Sequence, residues 1–402
     1  MSLRSVVAIA LAGGMLAGAA VAEPQYGPGT SATEIVIGNT VPYSGPIAIV
    51  STIGKTQAAY FRMINDRGGI NGRKIRYVSY DDAYSPPKTV EQTRRLVEGD
   101  EVAIVFAGAG TATNAAVMPY LNSKRVPQLF LSSGNAKFND PKRFPWTMAW
   151  FPQAEMEGRL YAKYVLETNP SARIAVLYQK DDFGKDMVKG LKDGLGKHAS
   201  MIVAEAGYDP TDPTVDSQIA TLKASGADAF MNFATPRTAA LAIRRIAEMG
   251  WKPSINALAF ASISVGGVLK PAGLENSVGV VSANFMKDPT DPAWDDDAGV
   301  KTWRAFMAQY YPDADMTNAF FTSYAYSVAQ SLVQVLKQCG DNLTRDNIME
   351  QARNLKPIDY DLILPGISIS SSPTDYTPVK QMRMMRFDGT RWTYFGAVMN
   401  AD

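Results

Sequence analysis

"EIVIGNTVPYSGPIAIVSTIGKTQAAYFRMINDRGGINGRKIRYVSYDD", residues 34–82, contains one unit of a pattern that runs through the chain. It opens on EIVIGNTVP (34–42), an apolar run of strand length, and closes on a second such run, KIRYVSYDD (74–82). Between them Ile53, Tyr60, Phe61 and Ile64 recur at helical spacing, and Gly68-Gly69 ends the helix that spacing predicts over 53–69. Strand, helix and strand in that order predict parallel strands joined by a crossover helix.

Downstream the order continues. Pro86-Pro87 opens a helix carrying Val90, Leu96 and Val97, and VAIVFAG (102–108) and VPQLFLSS (126–133) read as strands around a helix from about Ala112 to Ser123. The alternation then restarts with RIAVLYQ (173–179), SMIVAEAGY (200–208) and ADAFMNF (227–233), the last followed by the helical PRTAALAIRRIAEMG (236–250). Two successive α/β units imply two lobes. Near the end, residues 379–398 read as a hairpin turning at Asp388-Gly389, and KDPTDPAWDDD (287–297) reads as a surface loop.

Composition narrows the function classes. Residues 1–22 place Arg4 before an apolar run and end in Ala20-Val21-Ala22, the form of a secretory leader cleaved before Glu23. The run is too short and glycine-rich for a membrane span, and no cysteine follows it to carry a lipid. Removing Arg4 leaves 39 Lys+Arg against 39 Asp+Glu, a balance that argues against a nucleic-acid partner. Cys339 is the only cysteine, so no internal disulfide can form, and stability must come from core burial.

Catalytic chemistry finds little support. His198 is the only histidine, and it falls where a helix is expected to end. No G-x-S-x-G elbow, P-loop or complete dinucleotide loop occurs, and one histidine with one cysteine cannot build a zinc cluster. Asp81-Asp82 reads as a loop cap. Binding fares better, because TVPYSGP (40–46), FAGAGTATN (106–114) and LFLSSGN (129–135) all end strands in small polar turns. Ligands of open parallel sheets lie outside the carboxyl ends of the strands, and a helix starting after Gly110 offers free N–H groups to an anion. Ser44, Thr111, Ser132 and Ser133 would supply neutral hydroxyls.

The runs SGP, NDRGGINGRKIRYVSYDD, YQKDDFGKD and AIRRIAEMGWKP, in that order and spacing, resemble the leucine/isoleucine/valine-binding protein family, the periplasmic receptors of branched-chain-amino-acid-type ABC importers. The resemblance covers nearly the whole chain after the leader. It implies a type I periplasmic binding fold: two doubly wound α/β lobes, a three-strand hinge and a cleft between the lobes. The implied limits are residues 31–149 plus about 282–355 for one lobe, and 150–281 plus about 356–402 for the other. PQLFLSSGNAKFNDPKRFPWTMAW and QMRMMRFDGTRWTYFG look like a subgroup whose members take up varied small carboxylates, aromatic acids among them.

Carried over by residue, the family's carboxylate-holding turns fall on Gly110-Thr111 and Ser132-Ser133-Gly134. Its second-lobe tyrosine falls on Phe183, which keeps the ring and loses the hydroxyl. The position that holds an acid for a ligand ammonium lies near Ala259, in an apolar stretch, and a tyrosine expected near 234 is absent. Trp150 and Phe151 stand where the chain crosses between lobes. The expected ligand-binding set is therefore Tyr43, Ser44, Gly110, Thr111, Ser132, Ser133, Gly134, Asn135, Trp150, Phe151, Phe183, Phe233 and Phe260, with no catalytic residue, metal or cofactor. These readings point to a monomeric periplasmic receptor that holds a small carboxylate with an apolar or aromatic body and delivers it to ABC permease subunits. Two alternatives stand beside it, an apolar or branched-chain amino-acid receptor and a ligand-sensing domain for a signalling partner. Glu155 or Asp182 could still bring an acid into the cleft.

Overall fold

A computed structural model describes residues 23–400. The expected leader, residues 1–22, lies outside the described residues. Strand β1 (Glu34–Val41) is buried along nearly its whole length and pairs in parallel with β2 (Lys74–Asp81). Helix α1 (Thr52–Asp66) crosses between them and buries Ile53, Tyr60 and Phe61 as the spacing expects, while Ile64 is only half-buried and Met63 is buried beside it. With β3 (Ile104–Phe106), β4 (Gln128–Leu131) and β5 (Thr147–Ala149) these strands form a parallel sheet in the order β2-β1-β3-β4-β5. Helices α2 (Pro86–Arg94) and α3 (Thr111–Ser123) provide its crossovers.

Strands β3 and β4 are shorter than the apolar runs 102–108 and 126–133 that encode them. Ala107 and Gly110 take positive φ (51° and 92°), which bends the chain out of the ladder after Phe106. Phe130 takes positive φ (59°) inside β4, where the β4–β5 register shifts between Gln128 and Leu131. The residues that leave the ladder become the loops at the sheet's carboxyl edge.

The second sheet has seven strands. After α4 (Ala154–Thr168) come β6 (Ile174–Gln179), α5 (Asp182–Leu195), β7 (Ile202–Tyr208), α6 (Asp216–Ala224), β8 (Ala229–Phe233), α7 (Pro236–Glu248), β9 (Ile255–Leu258) and β10 (Val281–Asn284). The expected hairpin is β11 (Gln381–Phe387) and β12 (Trp392–Asn400), and it adds to β10 antiparallel, giving the order β12-β11-β10-β9-β8-β6-β7. Between β10 and β11 the chain returns to the first sheet, where α8 (Ala298–Tyr310) and α9 (Ala319–Cys339) pack on α1 and α10 (Arg345–Arg353) packs on α9. Three segments thus pass between the sheets: the residues after Ala149, those after Asn284, and a stretch ahead of β11. The last two run side by side, Lys287 N donating to Leu362 O and Leu364 N to Phe285 O. The loop 287–297 is more deeply set than its composition suggests, because Lys287 and Asp291 are buried.

Candidate functional site

The carboxyl edges of the two sheets face each other across a cavity of about 80 Å³. The first sheet and its helices contribute Ile47, Val50, Ile53, Tyr84, Ala109, Gly110, Thr111, Ser132, Ser133, Gly134 and Phe321. Phe151, from the first crossing, and Phe183, Thr235, Pro236 and Ala261 from the second sheet close it.

Three hydroxyls from two strand-end loops meet here. Thr111 Oγ1 and Ser133 Oγ share a hydrogen bond of 2.6 Å, and Ser132 Oγ donates to Tyr324 OH at 2.7 Å. All three residues are buried and line the cavity, and Ser133 Oγ also accepts from Asn135 N at 3.4 Å. The loop backbone is fixed by close approach. A Cβ on Gly110, already at φ 92°, would lie 2.3 Å from the Tyr84 ring. One on Gly134 would lie 2.3 Å from Pro152 O, so only glycine lets the β4 loop touch the first crossing.

Helix ends set the electrostatics. Gly110 is the N-cap of α3 and Thr235 that of α7, both line the cavity, and neither gives a side-chain cap, although Pro236 leaves the first position of α7 without an N–H. Phe183 sits in the first turn of α5, whose N–H groups at Phe183 and Gly184 are taken by Asp181 Oδ1. Among the described residues no Asp, Glu, Lys, Arg or His lines the cavity. Positive helix ends and neutral hydroxyls, without a carboxylate, suit an anionic group with an apolar body.

Seven of the expected residues line this cavity: Gly110, Thr111, Ser132, Ser133, Gly134, Phe151 and Phe183. The other six sit outside its lining. Ser44 is exposed and gives its N–H and Oγ to Asp81, which also accepts the Tyr43 N–H. Burial alone would raise the Asp81 carboxyl, but bonds from Ser44, Lys88 and backbone N–H groups outweigh it and hold the group well below its ordinary range. With Asp82 accepting from Tyr84 N and Thr89 Oγ1, the acid pair caps a loop, as its sequence suggests. Tyr43 OH bonds Ser79 at 2.7 Å.

Trp150 is fully buried, its Nε1 donating to Ser331 Oγ, and Phe233 stacks on Tyr161 in the core of the second unit. Phe260 lies behind the wall, edge-on to Phe151 at 5.0 Å. Asn135 instead bridges the sheets, donating to Asp186 Oδ2 at 2.6 Å, while its neighbour Lys137 pairs with Asp182. Asp182 is thereby occupied, and Glu155 faces Lys189 at 3.0 Å, so neither acid reaches the cavity. Tyr84, Thr235, Ala261 and Phe321 went unnoticed. Tyr84 and Thr235 follow strand ends, and the rule that found the serine loops, applied to β2 and β8, would have found them. Phe321 lies on a helix that no strand-end signal marks.

A second buried group stands behind this wall. Glu157 Oε1 accepts from Tyr161 OH at 2.6 Å and Phe260 N at 2.5 Å, and burial pushes its carboxyl up to about 7. Among the described residues no group of three His, Cys, Asp or Glu is placed to hold a metal ion.

A family model described as "Periplasmic binding protein" matches residues 34–391. The Leu/Ile/Val-binding protein homolog 1 of Brucella abortus is 24% identical over 316 residues, covering 78% of this chain and 81% of the relative. Among solved structures, a branched-chain amino acid ABC transporter protein from Thermus thermophilus with bound valine superposes with a TM-score of 0.82 at 13% identity, covering 92% of this chain and 97% of that one. A solute-binding protein of an ABC transporter from Rhodopseudomonas palustris BisB5, in complex with 3,4-dihydroxy benzoic acid, gives 0.74 at 19% identity, over 92% and 98%. These likenesses show the type I periplasmic binding fold.

Proposed function

We propose, from the premise that the chain belongs to the periplasmic binding protein family, that it is the receptor of an ABC importer for a small carboxylate with an apolar or aromatic body. Structures of this fold hold valine in one case and 3,4-dihydroxy benzoic acid in another, so the fold leaves the ligand open. The composition of the cavity wall carries the choice. An α-amino acid brings an ammonium group into the cleft, and an unpaired buried ammonium costs several kcal/mol. The wall has open helix N-termini, Thr111, Ser132 and Ser133 for a carboxylate, and no acid for an amine. Phe151, Phe183 and Phe321 fit an apolar body, and the small volume favours a compact one.

In this reading the ligand carboxylate lies between the α3 N-terminus and the serine loop of the first lobe, and the second lobe closes over the body with Phe183. The site binds and performs no chemistry, and a permease in the inner membrane receives the solute. Native mass spectrometry of protein freshly taken from the periplasm tests this. A bound small acid without an amine, on a chain beginning at Glu23 after export through the leader, is the expected result. A bound amino acid would overturn the ligand class, and a membrane-associated chain retaining residues 1–22 would overturn the exported receptor.

A further inference from the structure

A larger cavity, of about 740 Å³, lies beside the crossings and shares no lining residue with the first. The segment Ile263–Leu274, the chain leaving β10, the start of α9 and the β11–β12 hairpin enclose it. Phe320 and Phe321, whose rings are 5.1 Å apart, divide the two spaces, Phe320 facing the larger and Phe321 the smaller. Its volume lies within the roughly 300–1,000 Å³ of small-molecule sites. We propose that this cavity is a second ligand site, which takes an amphipathic anion bulkier than the cleft can hold.

Ile263, Leu274, Met286, Phe320, Met385 and Trp392 give it an apolar wall, and the methionines let that wall adapt to an irregular body. Deep in the lining, Ser323 is 1% exposed and its Oγ has no hydrogen-bond partner. A buried hydroxyl is rarely left unpaired, and a polar atom at the inner end of a ligand would satisfy it.

The charged lining residues mostly satisfy one another. Lys287 bonds both oxygens of Asp297 and Asp361 O, and Arg391 pairs with Asp291 at 2.7 Å. Asp288 accepts from Thr290, and Asp388 from the Thr390 and Arg391 N–H groups. Lys270 is left over: it is exposed at the rim and, among the described residues, makes no ion pair or side-chain hydrogen bond. Among the lining residues Lys270 is thus the cation without a carboxylate partner and Asp288 the acid without a cation, so an anionic head group would sit at the exposed rim beside Lys270 with the apolar interior below it.

The test titrates the full mature protein with anilinonaphthalene sulfonate, an amphipathic anion with an amine, and reads fluorescence. Saturable binding at one site is expected. Lys270→Glu should weaken it about fivefold or more, the scale of losing a charge-assisted contact at a rim, while Lys270→Arg keeps it. Because Lys270 is exposed, neither change should move the thermal midpoint. Lys142→Glu, an exposed lysine in the other lobe, should leave the affinity as it was. No saturable binding, equal affinities for the Lys270 variants, or an equal loss in Lys142→Glu would overturn the proposal.

Discussion

Ser133 Oγ is held by Thr111 Oγ1 at 2.6 Å, in a wall without a charged side chain, so its proton or lone pair is poised for whatever enters. A hydrogen bond to a charged group contributes about 1.5–3 kcal/mol, so Ser133→Ala should weaken ligand binding by tenfold or more. Ser123→Ala should leave affinity unchanged, because that exposed hydroxyl only donates to Tyr120 O at the end of α3. Equal affinities by calorimetry would remove Ser133 from the site. Glu157 gives a prediction about stability. Burial disfavours the charge and pushes its folded carboxyl up to about 7, against an ordinary value of 4.5. Between those values the folded state holds the extra proton, so stability falls as pH rises through that window and is fully present only below it. The raised value implies a loss of roughly 3 kcal/mol. Glu157→Gln keeps an oxygen for Tyr161 and Phe260 without the titration, so urea unfolding between pH 5 and pH 8 should lose this slope. An unchanged slope in the variant would assign the pH dependence to other groups.

At the level of elements, α3 depends on one residue. Gly110→Ala puts a Cβ against the Tyr84 ring and forces alanine to φ 92°, so the helix start must shift or the ring must move. At φ 92° and ψ 156° this is backbone that essentially only glycine adopts, and holding another residue there costs about 1–3 kcal/mol. The variant should melt earlier and lose most of its ligand affinity, since Thr111 and the open N–H groups move with the cap. Native affinity in Gly110→Ala would show that the α3 N-terminus holds nothing. The same loop shows what could be read in advance. Period and length found β1, α1, β2 and the hairpin within a few residues. Strands β9 and β10 were missed because INAL and VSAN are short and broken by polar residues, and α9 because its apolar residues surround the helix rather than forming a stripe. The serine and glycine turns announced themselves at strand ends. Trp150, Phe233 and Phe260 looked like wall residues by type, but their side chains point into the core, which is a matter of packing that residue identity does not encode.

Over the whole molecule, the described arrangement has the two sheets in contact across the cleft. Asn135 reaches Asp186, Lys137 reaches Asp182, and Gln179 Nε2 lies 3.5 Å from Tyr84 OH. Tyr84 belongs to the lining of the small cavity, so these contacts hold the two sheets together beside it, and an unpaired charge on a ligand in that apolar wall gives up hydration without a partner to replace it. That makes the missing acid decisive for the class of solute. The most direct measurement is a calorimetric panel pairing each amino acid with its amine-free counterpart, such as phenylalanine with phenylpropanoate and valine with isovalerate. The account expects the amine-free acids to bind and their amino acids to bind at least tenfold more weakly, the scale of a single unpaired charged contact. Consistent preference for phenylalanine or valine over the matching acids would contradict it and make the protein an amino-acid receptor.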